Sequence, residues 1–301
     1  MNKRAFLLAG VASCLCGCAY KNVPFSNYAP LFYRVKDAQG DGEAFLLGAV
    51  HLGLSRFYPL PEKIEAAWNR CNCLAVELDI AKRHEELRLA FSKRVLLPTG
   101  ETLDEVLSEQ EIQSIKTHMG FDYQDWLRLR RLQPWALSLN LFNRIEANAG
   151  PQATLGIDLF FLRRARTKKL RIVELEQPQD QIEAFAGGSR AEQLEQLRNR
   201  LQQLQRYERT TEMVIDAWRR GDALALARLK RDSFGDEQTL SSLHQRMSVI
   251  RDKKMGVALA SIVREGSRVF CVVGAFHLVG PQNFLEVLRE EHGLEVSQVF
   301  I

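Results

Sequence analysis

Two histidines follow a glycine at spacing three, each at the end of an apolar run: Phe45-Leu46-Leu47-Gly48-Ala49-Val50-His51 and Phe270-Cys271-Val272-Val273-Gly274-Ala275-Phe276-His277. Each run reads as a buried strand, so the chain twice delivers an imidazole to a strand end. Nineteen glycines and six histidines give roughly 0.4 Gly-x-x-His matches by chance. Two matches in the same setting exceed that. A third run, Cys73-Leu74-Ala75-Val76-Glu77-Leu78-Asp79, places acids at a strand end. In sheets with parallel strands, ligands collect outside the carboxyl ends, so His51, Glu77 and His277 are expected to project to one place.

Two neutral imidazoles and a carboxylate suit a first-row divalent ion with positions left open. Such an ion lowers the pKa of bound water toward about 7 and polarises a carbonyl, which is hydrolytic chemistry. Glu77 has a second role open to it, as general base beside a metal held by the histidines and others. The plain alternative is that each histidine donates to a backbone carbonyl in a packed strand end. Asp79, one alternation beyond Glu77, is expected on the same strand face as a further acid. His84, His118, His244 and His292 lie in polar helical surroundings and are expected to face solvent.

Positioning these groups falls to an α/β framework. Leu31 to Val35 and Ala44 to Val50 flank Asp37-Ala38-Gln39-Gly40-Asp41-Gly42, which reads as a hairpin. Pro61 opens a short helix to Arg70, and the strand ending near Glu77 completes a compact unit. Strand, helix and strand recur at Val269 to Val273, Pro281 to Glu290 and Val296 to Phe300. The expected fold is a central mixed β-sheet built from two related strand-helix-strand units, with a large, mostly helical insertion at about 82–265. Within the insertion, Leu170 to Leu175 reads as another strand. Ser108 with Glu111 and Ser189 with Glu192 have capping-box spacing. The second opens a long amphipathic helix carrying Leu194, Leu197, Leu201 and Leu204, stopped near Gly221. That stripe suits packing within the chain better than a coiled-coil dimer, because the heptad does not persist.

Lys3 and Arg4 precede an apolar stretch, Ala5 to Leu15, too short to span a bilayer and shaped like a secretory signal. Val11-Ala12-Ser13-Cys14 and Leu15-Cys16-Gly17-Cys18 both resemble a bacterial lipobox. Cys18 is the favoured lipidation site, Cys14 the alternative, and a plain cleaved signal the reading without lipid. Residues 1–18 are therefore expected to be a signal, 19–30 a tether and 31–301 a single domain. The location expected is a periplasm-facing outer-membrane lipoprotein anchored by lipid, or otherwise a soluble periplasmic protein. Losing Lys3 and Arg4 lowers the formal net charge from +4 to +2, which argues against nucleic-acid binding. Besides Cys18, only Cys71, Cys73 and Cys271 survive cleavage. A Cys71–Cys271 bridge is geometrically conceivable, but buried thiols are the commoner state in apolar strands.

At these residues the chain resembles the TraB/GumN family, related to the Tiki metalloproteases and, more distantly, to erythromycin esterase-like and ChaN-like proteins. The family pattern of two Gly-x-x-His motifs and an intervening strand glutamate falls on Gly48, His51, Glu77, Gly274 and His277. Other matching stretches are Gln133-Pro134-Trp135, Gly156-Ile157-Asp158, Leu175-Glu176 with Gln181, Trp218-Arg219-Arg220-Gly221-Asp222 and Arg251-Asp252. The resemblance implies a metal-binding and catalytic set of His51, Glu77 and His277, with manganese, cobalt or zinc as the ion. It makes Arg251 a cation facing the site, suited to a substrate carboxylate or oxyanion; a salt bridge holding its helix to the core is the alternative. Asp158 and Glu176 become supporting or structural partners. Ala49 stands where the family often has Thr or Ser, and Asp252 replaces the usual Asn. The function implied is a metal-dependent hydrolase of peptidase type, acting on an extended peptide or a small ester or amide. A non-catalytic protein holding haem, a metal or a peptide signal in the same cleft is the other reading.

Overall fold

A computed structural model describes residues 28–148, 151–234 and 242–301. The signal, both lipobox cysteines and most of the expected tether lie outside the described residues. Six strands form one sheet: β1 (Phe32–Lys36), β2 (Glu43–Ala49), β3 (Cys73–Val76), β4 (Arg171–Glu174), β5 (Arg268–Gly274) and β6 (Glu295–Gln298). Their spatial order is β4-β3-β5-β2-β1-β6. The four strands from β4 to β2 are mutually parallel, while β1 runs antiparallel to both β2 and β6. The sheet is mixed, as the sequence implies.

Helices fill the connections: α1 (Glu62–Arg70), α2 (Ile80–Ser92), α3 (Glu109–Met119), α4 (Tyr123–Leu129), α5 (Pro134–Asn148), α6 (Ile157–Lys168), α7 (Pro178–Ala186), α8 (Arg190–Arg220) and α9 (Ala223–Phe234). Then α10 (Ser242–His244) runs through a π-helical turn, Gln245–Val249, into α11 (Ile250–Arg264), and α12 (Phe284–Glu286) continues as a second π-turn, Val287–Glu291. Both expected capping boxes form, at Ser108 with Glu111 and Ser189 with Glu192. Among the described residues no helix is long and apolar enough to cross a membrane.

The two strand-helix-strand units interlock. β2, α1 and β3 form one crossover; β5, α12 and β6 form the other; and β5 inserts between β2 and β3. Burial is complete along β2 and β3 and nearly so along β5, which is why these runs are continuously apolar rather than alternating. Trp68 of α1, Phe161 of α6 and Phe270 of β5 meet as an aromatic cluster. The insertion returns to the sheet as β4, and α6, α9 and α11 join the main core. A second, smaller core gathers residues of α3, α4 and α5 with Leu197 and Leu201 of α8. Leu194, Leu197 and Leu201 of the leucine stripe thus pack within their own chain, and the side chain of Leu204 lies outside the described residues.

Cys71, Cys73 and Cys271 are free and buried. Cys271 pairs across the ladder with Ala75 and Cys73 with Val269, so the sheet holds these sulfurs as small apolar residues. Burial pushes the Cys71 thiol up to about 12. Two histidine expectations are corrected. His244 is 5% exposed, and His292 is half-buried with its Nε2 close to Gly256. Both sit where helical segments turn a polar residue toward the protein interior, which their polar sequence neighbours conceal.

Tyr28 packs against Phe57 and Trp218, so residues 28–30 belong to the folded body. Trp218, fully buried near the end of α8, donates its indole N–H to Gly48 O at 2.7 Å. Trp218→Phe removes that donor and leaves a buried carbonyl unpaired, at a cost of about 1–3 kcal/mol. A urea unfolding midpoint unchanged from wild type would show the bond to be unimportant.

Candidate functional site

Parallel register aligns three strand ends. Ala49 of β2 lies opposite Gly274 of β5, and Val76 of β3 opposite Val272, which sets Glu77 beside the Val273–Gly274 step. The Glu77 Oε1 accepts the Gly274 N–H at 2.5 Å. After Gly274 the chain enters a 3-10 turn, Ala275–Leu278, that presents His277; its Nε2 lies 3.9 Å from Glu77 Oε1. A Cβ on Gly274 would stand 3.2 Å from Glu77 Oε1, 3.5 Å from His51 Nε2 and 3.6 Å from His277 Cδ2. All three predicted groups therefore converge on a spot that only a glycine leaves clear. Gly48, the other motif glycine, faces Leu278 and Ala275, with a would-be Cβ 3.0 Å from Leu278 Cδ1.

Each imidazole is held from behind by an acid. His277 Nδ1 meets Asp252 Oδ1 at 2.5 Å, and His51 Nδ1 meets Asp158 Oδ2 at 3.3 Å. Asp158 lies in the first turn of α6 and Asp252 in that of α11. The loop bearing His51 is tied to the segment before α6 by the Gly53–Gln152 bridge, by Ile157 N–H donating to Val50 O, and by Tyr58 Oη donating to Leu155 O. Carboxylates on Nδ1 leave each Nε2 as the lone-pair nitrogen, the arrangement that orients metal-binding histidines.

The β3–β4 ladder continues one step, with Glu176 N–H donating to Glu77 O, so two carboxylates end side by side. Arg251 joins them. Its Nη2 bonds Glu77 Oε2 at 2.6 Å and Glu176 Oε1 at 2.7 Å, its Nε bonds Glu176 Oε2 at 2.8 Å, and its Nη1 reaches Met247 O at 3.2 Å. Gln181 Nε2 adds a bond to Glu176 Oε1. Arg251 is 7% exposed, so the guanidinium clamps two carboxylates instead of facing a substrate. This is the salt-bridge alternative, aimed at the site's own glutamate.

Burial would raise the pKa of Glu77, but His277, Arg251, His51 and the Gly274 N–H outweigh it and hold the carboxyl at about 2. Burial raises Asp252, with His277, Lys230 and Arg251 opposing. Around the three groups stand the carboxylates of Asp158, Glu176 and Asp252 and the cations Arg251 and Lys230. Two imidazole nitrogens and a carboxylate are donor types that a first-row divalent ion accepts. Among the described residues no group of three His, Cys, Asp or Glu side chains is preformed as a metal cage, in keeping with Glu77 being drawn toward Arg251.

Asp79 does not join the site. The strand ends at Val76, and Asp79 instead caps α2, accepting the Lys82 N–H at 3.1 Å and Arg166 Nη2 at 2.5 Å. Alternation could not extend past a helix cap. Three residues near His277 that sequence reasoning missed are Asp252 as the histidine's partner, Lys230 and His244. A lysine on an apolar helical stripe was the available signal for Lys230.

With that geometry in view, sequence comparison is decisive for kinship. A profile of the TraB/PrgY/gumN family matches residues 31–298. The chain belongs to that family. It is 25% identical to the uncharacterized protein YbaP of Shigella flexneri over 251 residues, 83% of this chain and 89% of that one. The same figures hold for YbaP of Escherichia coli strain K12. An uncharacterized protein of Treponema pallidum is 20% identical over 285 residues, 90% of this chain and 83% of that protein. The family match spans every residue of the constellation, from His51 to His277.

Glu77 yields a pH prediction. Its folded value of about 2 lies below the ordinary 4.5, so its ionised form stabilises the fold fully above about pH 4.5, and that contribution is lost as pH falls through about 2. The stability gap between wild type and Glu77→Gln should therefore shrink across that window in urea titrations. A gap independent of pH there would contradict the assignment.

Proposed function

We propose that this protein is a metal-dependent hydrolase of peptidase type, with His51, Glu77 and His277 as ligands of a manganese, cobalt or zinc ion. The supporting observation is that each imidazole is aimed by its own carboxylate at the one spot where Glu77 also stands. When bound, the ion would supply Lewis acidity toward a substrate carbonyl and an acidified water. The chain's own groups do the rest. Asp158 and Asp252 fix the imidazole tautomers, and His277, Arg251 and the Gly274 N–H favour the ionised form of Glu77. Both Glu77 oxygens already accept hydrogen bonds, Oε2 from Arg251 and Oε1 from the Gly274 N–H, which favours Glu77 as a fixed group over Glu77 as a mobile general base. The substrate class we assign is an extended peptide or a small ester or amide.

A second reading has its own support. Four of the five Arg251 N–H donors are taken by Glu77, Glu176 and Met247, so little of the cation is left for a substrate carboxylate, as suits a protein that binds haem, a metal or a peptide signal without turnover. Protein stripped of metal and reloaded with Mn²⁺, Co²⁺ or Zn²⁺ should hydrolyse members of a peptide and ester library, and His277→Ala should lower the rate by at least about 100-fold. Metal binding with no turnover across the library would establish the second reading. No metal binding at all would remove the first.

We further infer export and lipid anchoring at Cys18, from the basic and apolar leader that ends in lipobox-like residues. Cells fed a labelled fatty acid should mark the protein, and Cys18→Ala should abolish the label. Labelling that survives in Cys18→Ala but not in Cys14→Ala would move the anchor to the earlier cysteine, and no label in wild type would leave a soluble periplasmic protein.

A further inference from the structure

Lys230 is 2% exposed and shares the buried stripe of α9 with Leu226 and Leu229. Lysine is almost never this buried without a partner, since an ammonium loses its hydration on burial. Its Nζ donates to Val279 O at 3.0 Å, and Val279 caps the turn that presents His277. The lysine's stem runs past Gly280, with Cδ 3.9 Å from where a Cβ would stand. The turn is thus fastened at both ends, by the Gly274 N–H on Glu77 and by Val279 O on Lys230, with His277 between. Asp252 needs a neighbour of this kind. Its Oδ1 is taken by His277, while its Oδ2 is buried with no hydrogen-bond partner among the described residues. Lys230 and Asp252 face each other across an interior that also holds His244, whose pKa burial and Lys230 lower against the pull of Asp252.

We propose that Lys230 is a positioning residue for His277: its buried Nζ pins the 275–280 turn through the Val279 carbonyl. An apolar side chain of similar length would fill the same space and leave that carbonyl unheld. The inference rests on the metal-site reading for its consequence, metal affinity, but its structural content is independent of any metal.

The test compares Lys230→Met, which loses the donor, with Lys230→Gln, which keeps a donor on a shorter side chain. Long-range proton–nitrogen NMR of metal-free protein reads the His277 tautomer directly, and Co²⁺ titration reads affinity and the ligand-field spectrum. In wild type His277 should be one tautomer, with the proton on Nδ1. Both variants should show a tautomer mixture or shifted ring nitrogens and bind Co²⁺ roughly tenfold or more weakly, the Met variant most. Wild-type His277 signals in either variant would overturn the proposal. Altered His277 signals in a protein whose wild type binds no Co²⁺ would uphold the positioning role while sinking the metal reading. If Lys230→Met does not fold, the Gln variant decides.

Discussion

The structure turns on one guanidinium between two buried carboxylates. The parallel ladder of β3 and β4 places Glu77 and Glu176 on adjoining strand ends, both nearly inaccessible. Two acids so placed cannot both ionise without a cation among them. Arg251 meets that need with bonds to each. It comes from the first turn of α11, just after the π-turn at Gln245–Val249, whose Met247 carbonyl accepts from Nη1. With Glu77 ionised, its other oxygen accepts the Gly274 N–H and fixes where the β5 strand turns toward His277. Remove the cation, and burial would push one acid toward its neutral form and weaken that anchor.

The helices of the insertion can be understood by what they bring to the strand ends. α6 brings Asp158 to His51, α7 brings Gln181 to Glu176, α8 brings Trp218 to the Gly48 carbonyl, α9 brings Lys230 to Val279, and α11 brings both Arg251 and Asp252. The sheet alone would leave two imidazoles on short loops, free to rotate. Packing energy lies mainly in the aromatic and aliphatic core around Trp68, Phe161 and Phe270, whereas orientation lies in these polar reaches. Stability and site geometry are therefore separable in principle: a side chain such as Asp158 can be lost with little core disturbed.

That division explains what the sequence disclosed. Continuous apolar runs, turn residues and capping boxes are local signals, and they located β1, β2, β5 and α8 and brought His51, Glu77 and His277 to neighbouring strand ends. Contacts set by long-range packing left weaker traces. Asp79 looks like a continuation of the β3 alternation, yet a helix begins there and its carboxylate is claimed by backbone amides and Arg166. Whether Arg251 faces a substrate or a buried acid depends on how α11 docks, which composition and periodicity do not encode. His244 hides in a polar stretch because the interior it faces is itself polar, holding Lys230 and Asp252.

The two imidazoles are alike in motif and unlike in setting. His277 has 7% of its side chain exposed and His51 has 64%. His51 is the solvent-facing member of the group, and Glu77 and His277 lie buried. The His277 half of the site, braced by Asp252 and Lys230, is the fixed wall, and the His51 loop, tied at Gly53 and Ile157, is the rim. Glu77 stands behind that rim, 9% exposed, with one oxygen held by Arg251 and the other by the Gly274 N–H, so its position is set by the protein and not by whatever reaches the rim.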